Sequence, residues 1–131
     1  MKYMLIMEAT KSNWDTFLRW PKTDLQAHMA FMESFTKELS DAKELVAAEG
    51  LDMPGEAKVV RAGKNGAPVT TDVFPESKEF LAGYWIVEVD TPERAYQIAA
   101  AASAAPGPGG QPMNMPILVR QVMSGPPEEL L

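Results

Sequence analysis

His28 is the only histidine in the chain. An imidazole gives and takes protons near neutrality, so it is the natural candidate for a general acid or base. Its spacing to Leu25, Met32 and Phe35 puts it on the apolar side of a helix, facing a sheet. A buried imidazole in such a place has two readings. It is either a proton-transfer group in a cleft or a core side chain satisfied by a backbone carbonyl. Asp72 is the carboxylate that would orient or ionise it as a base–orienter pair; the alternative for Asp72 is a turn or cap residue. Thr71 offers a hydroxyl beside it but no negative charge. Trp14, Trp20, Phe74 and Tyr84 would line a pocket for an aromatic ligand, with plain packing as the competing role. Glu76, Lys78 and Glu79 read as a solvated face or a local ion pair.

Several chemistries are excluded. There are no cysteines, which removes disulfides, thiol catalysis and thiolate metal sites. Asp24 and His28 stand four apart on a helix, but two ligands without a third make no metal site. Neither Gly63–Gly66 nor Gly107–Gly110 has the context of a phosphate loop. No cofactor is expected. The formal net charge of -6 argues against nucleic acid and against anionic membranes as partners. No apolar run reaches transmembrane length, and MKYMLIMEAT lacks the features of a signal peptide. A cytoplasmic location is expected.

The elements that must position these residues follow from pattern. At 131 residues, with 46% apolar and 23% charged side chains, the chain suits one domain: a core over 1–123 and a tail over 124–131. Lys2 to Glu8 reads as a strand buried on both faces. Thr10 to Pro21 reads as a polar loop, with at most a helical turn, held down by Trp14 and Trp20. Thr23 with Gln26 forms a capping-box pattern. Leu25, Met29, Met32, Phe35 and Leu39 then mark the inner face of a helix ending near Asp41. Glu44 to Leu51 and Ala57 to Ala62 read as strands, and Asn65-Gly66 turns the second into Ala67 to Thr71, a hairpin expected to stand out as a ribbon. Gly83 to Val89 carries the strongest strand signal, with Tyr84, Ile86 and Glu88 on one face and Trp85, Val87 and Val89 on the other. Thr91-Pro92-Glu93 starts a helix. Pro106 to Gly110 ends it in a flexible connection, and Ile117 to Met123 is the last strand.

With the hairpin set aside, the order is βαββαβ, an α+β, ferredoxin-like antiparallel sheet with two helices on one face. The other face would expose apolar residues such as Met4, Ile6, Trp85 or Val119, depending on strand parity. A homodimer packed through that open sheet face is therefore expected.

The chain also resembles the YCII-related family, in its DGPF-domain branch. The matching pieces are the opening KYMLIM, the helix HMAFMESFTKEL from His28 to Leu39, the strand ELVAAEGL, and the block TTDVFPESKEFLAGYWIVEV leading into TPERA. The resemblance spans Met1 to about Met123. It implies a ferredoxin-like dimer, described as a dimeric α/β barrel, with a cleft holding a His–Asp pair. It implies either a small-molecule enzyme or a regulatory dimer of the kind encoded near extracytoplasmic sigma factors; a structural interaction module is the third alternative. The chain departs from the pattern at the signature itself. Aligned without a gap, Thr71 stands at the Asp position, Asp72 at the Gly position and Val73 at the Pro. In the last strand, Leu118 and Gln121 replace a usual Glu and Pro.

Overall fold

The computed structural model describes residues 1–73 and 78–130. In chain order the elements are β1 (Lys2–Ala9), α1 (Lys11–Leu18), α2 (Lys22–Asp41), β2 (Leu45–Gly50), β3 (Lys58–Ala62), β4 (Pro68–Asp72), β5 (Phe80–Glu88), α3 (Pro92–Ser103) and β6 (Ile117–Gln121). Four strands form one antiparallel sheet in the order β2-β5-β1-β6, and β3 pairs with β4 in a separate two-stranded ribbon. The protein is α+β, and this arrangement is compatible with a ferredoxin-like fold.

β5 carries the alternation expected of a half-covered strand. Trp85, Val87 and Val89 are buried, Tyr84 and Ile86 are half-buried, and Glu88 is exposed. β1 repeats it: Tyr3 and Leu5 are buried while Met4 and Ile6 stay half-open, so this strand is not sealed on both faces. The buried set meets Phe35 and Leu39 from α2 and Ala95, Ile98, Ala99 and Ala102 from α3 in one core. The alanines let α3 approach the sheet closely. Strand parity is thereby decided. Trp85 points into the core and donates its indole N–H to the Thr36 hydroxyl at 3.2 Å. Val119, paired with Leu5, shares that side. Met4, Ile6, Tyr84 and Ile86 lie on the open face, joined by Leu118 from β6.

The segment expected as a loop over Thr10 to Pro21 is instead the two-turn helix α1. Thr10 caps it: its hydroxyl accepts from Asn13 N, and Asn13 reaches back to the Thr10 backbone N–H. α2 begins two residues earlier than the capping-box pattern places it. Pro21 is the N-cap and no side chain caps the helix, because Thr23 already lies inside it. α2 ends at Asp41 as its periodicity predicts. Met29, assigned to the inner face, is 58% exposed, while His28, Phe35 and Leu39 are buried on that face as predicted. α3 starts as predicted, with Thr91 Oγ1 accepting from Arg94 N at 3.2 Å and Pro92 in the first turn.

Asn65 and Gly66 both take positive φ, 60° and 77°, and turn β3 into β4. All ten residues of those two strands are exposed. The stretch after α3 is no loose connection. Gly107 N donates to Gln111 O at 2.7 Å, Met113 N to Ala105 O at 2.9 Å, and Ser103 Oγ to Met115 O at 2.6 Å. β6 stops at Gln121, two residues short of the predicted end. No helix among the described residues is long and apolar enough to cross a membrane.

Candidate functional site

Trp14, Phe17 and Trp20 recur every three residues, which lines them along one side of α1 and the residues that end it. α2 presents His28 to that stripe. The His28 ring meets Phe17 edge-on at 5.4 Å between centroids and Trp20 at 5.7 Å. Phe17 in turn contacts Trp14 at 5.7 Å and Trp20 at 4.9 Å. Trp20 also reaches the turn after α3: a Cβ on Gly107 would sit 3.6 Å from its ring and 3.0 Å from Met113 Cγ. Glycine lets that backbone come close to the aromatic cluster.

The close approach matters because the same turn supplies the partner of His28. Its Nδ1 lies 3.1 Å from the carbonyl oxygen of Pro106. A carbonyl only accepts, so in the neutral ring Nδ1 carries the proton. Nε2 is then the acceptor, with no hydrogen bond to any described residue. His28 is 7% exposed and is the one buried polar or charged side chain among the described residues. A second buried polar atom sits in the same cluster: Trp14 Nε1 has no hydrogen-bond partner.

The other residues singled out from sequence lie elsewhere. Asp72 ends β4, exposed, and its hydrogen-bond partner is the Lys58 ammonium across the ribbon. That ammonium holds the Asp72 carboxyl below the usual carboxylate range, and the carboxylate in return pushes the Lys58 amine up. Thr71, its neighbour, pairs with Val59 and is also exposed. Tyr84 lies on the open sheet face, opposite in parity to core residue Trp85. Phe74 and Glu76 fall outside the described residues. Of the sequence candidates, His28, Trp14 and Trp20 share one cluster.

Phe17 and the Pro106 carbonyl were missed. The three-residue aromatic spacing could have revealed Phe17, had the segment been read as helix. No sequence signal points to a backbone carbonyl in a distant turn. Elsewhere, Glu8 at the end of β1 has its carboxyl raised above the usual range, first by a hydrogen bond with Glu79 and then by burial. No group of three His, Cys, Asp or Glu among the described residues is placed to hold a metal ion.

The arrangement can accept a proton or hydrogen bond at Nε2, and the aromatic rings shield the imidazole from water. Among the described residues no carboxylate is bonded to the imidazole. No curated protein matches the chain. The model of the YCII-related domain matches residues 1–108, which takes in β1 through α3, His28 and the Pro106 carbonyl. On that match, the chain belongs to the YCII-related domain family.

Proposed function

We propose that the protein is a small-molecule enzyme of the YCII-related family that works as a homodimer, with His28 as its general base. One observation carries the reading: with Nδ1 bonded to the Pro106 carbonyl, as in a core histidine, the His28 Nε2 still has no hydrogen-bond partner among the described residues. The Nδ1 bond orients the ring and leaves Nε2 as a free acceptor, the form a base needs. Phe17 and Trp20 supply apolar walls against which an uncharged or aromatic substrate would pack. Asp72 is bound to Lys58, so it joins this reading only through a rearrangement of the ribbon. The dimer, with two sheets face to face as a dimeric α/β barrel of the DGPF-branch type, rests on the apolar open face of Met4, Ile6, Tyr84, Ile86 and Leu118.

A second reading is a non-catalytic ligand-binding or regulatory dimer. The orienting group favours it, because a carbonyl stabilises an imidazolium less than a carboxylate does. One experiment separates the two. Wild type and His28→Gln are screened by thermal shift against small carbonyl compounds, phenols and carboxylic acids, and each hit is then incubated and followed by mass spectrometry. Hits lost in His28→Gln and consumed by wild type support the enzyme. Hits lost in the variant but left unchanged by wild type support the binding protein. Hits that bind both proteins equally sink the site.

A further inference from the structure

We infer that the β3–β4 ribbon is an intersubunit arm that lies on the body of a second copy of this chain. The inference rests on the homodimer proposed above. Within the described residues the two strands pair only with each other. A two-stranded hairpin is marginal in water by itself, yet this one exposes β-branched residues on both sides. The register puts Val59 and Val69 on one face and Val60 on the other. Val60 is 59% exposed and Val69 is 51% exposed. Apolar side chains on both faces of the ribbon call for a cover that the described residues of one copy do not provide.

Charge and position choose the cover. Residues 58–72 carry Lys58, Arg61 and Lys64 against Asp72 alone, a net +2 in a chain of -6, which leaves -8 on the rest. Lys58 is paired with Asp72, but Arg61 and Lys64 form no ion pair with any described residue. A cationic arm is thus attached to an acidic body, and the nearest acidic body of fixed supply is another copy of the chain. The ribbon leaves the sheet where β2 ends at Gly50, opposite Gly83 in β5. β2 is an edge strand of the sheet, so the ribbon is rooted at an edge that borders the open apolar face as well as the helix-covered one.

The test uses the absence of cysteine, which makes Val60→Cys a unique attachment point for benzophenone maleimide. Labelled protein with natural nitrogen is mixed with unlabelled protein grown on heavy nitrogen, allowed to exchange, irradiated and digested. Light–heavy cross-linked peptides are the expected result. Cross-links confined to one chain, in a protein that sediments as a dimer, overturn the arm and leave the face-to-face dimer standing. A dimer that gives no cross-links also overturns it, and would assign the ribbon to a different partner. A wild type that sediments as a monomer at micromolar concentration overturns both readings together. Independently, the double variant Arg61→Glu/Lys64→Glu should weaken dimerisation roughly tenfold at low salt, with the difference shrinking as salt screens the charges. An unchanged dissociation constant in that variant also counts against the arm.

Discussion

His28 is held by a neutral acceptor. The Pro106 carbonyl accepts from Nδ1 and so orients the ring, and in the neutral ring this places the free lone pair on Nε2. Nitrogen chemical shifts of the imidazole in mildly alkaline solution should therefore report a proton on Nδ1. A proton on Nε2 would break the link between the Pro106 contact and the proposed base. Asp72 and Lys58 form an exposed pair whose removal should matter little to stability. Glu8 behaves differently. Its carboxyl is raised, chiefly by the hydrogen bond with Glu79, so the fold prefers its protonated form. That contribution is fully present at pH values below the unfolded carboxyl pKa and is lost as pH rises through the raised folded value. Glu8→Gln should accordingly melt higher than wild type at neutral pH, with the gap closing in acid. A thermal melt across acid and neutral pH checks this, and a gap that widens in acid would show the sign to be wrong.

At the scale of elements, caps and cross-links hold the helices in place. Thr91→Ala removes the side-chain acceptor at the start of α3 and should destabilise the protein by about 1 kcal/mol. Arg94, one turn on, grips Glu44 at the entry to β2 through two bonds of 2.8 Å. That grip holds the Glu44 carboxyl below its usual range. The linkage sign is opposite to that of Glu8: stability is present above the unfolded carboxyl pKa and lost as pH falls through the lowered folded value. Glu44→Gln should cost about 1 kcal/mol at neutral pH, a modest figure because the guanidinium is 44% exposed and screened by solvent. The cost should fade in acid, as urea denaturation at two pH values would reveal. α1 is the element that sequence reasoning missed. Ser12, Asn13, Asp15 and Thr16 are weak helix formers. Short helices draw most of their stability from packing. Here the packing is between Phe17 and Trp20 of the stripe, His28 of the next helix, and Gly107 in the distant turn after α3.

For the whole molecule, the sheet has one face sealed and one open. Leu5 is fully buried between its register partners Trp85 and Val119. Leu5→Ala should cost about 2–5 kcal/mol by denaturant unfolding. On the other face, Ile86→Glu places a charge among Met4, Tyr84 and Ala47. If two sheets meet there, this variant should sediment as a monomer while keeping the far-ultraviolet circular dichroism of wild type. A fully dimeric Ile86→Glu would move the interface elsewhere.

Local rules were legible wherever a residue's role depends on its sequence neighbours. The alternation in Gly83–Val89 announces β5, Asn65-Gly66 sets a turn through positive φ, and Thr91-Pro92 begins α3. The strand and helix order that defines the fold follows from such signals, and so does the candidacy of His28 as a chain-unique imidazole on an apolar helix face. Tertiary structure alone decided what touches His28. Its hydrogen-bond partner stands 78 residues away and is a backbone carbonyl, which every residue possesses and no side-chain pattern marks. Strand parity was decided in the same way: alternation pairs Trp85 with Val87 and Val89, but only the helices packed on one side determine which set is buried. The ribbon's Asp72 likewise needed a cross-strand register before Lys58 emerged as its partner.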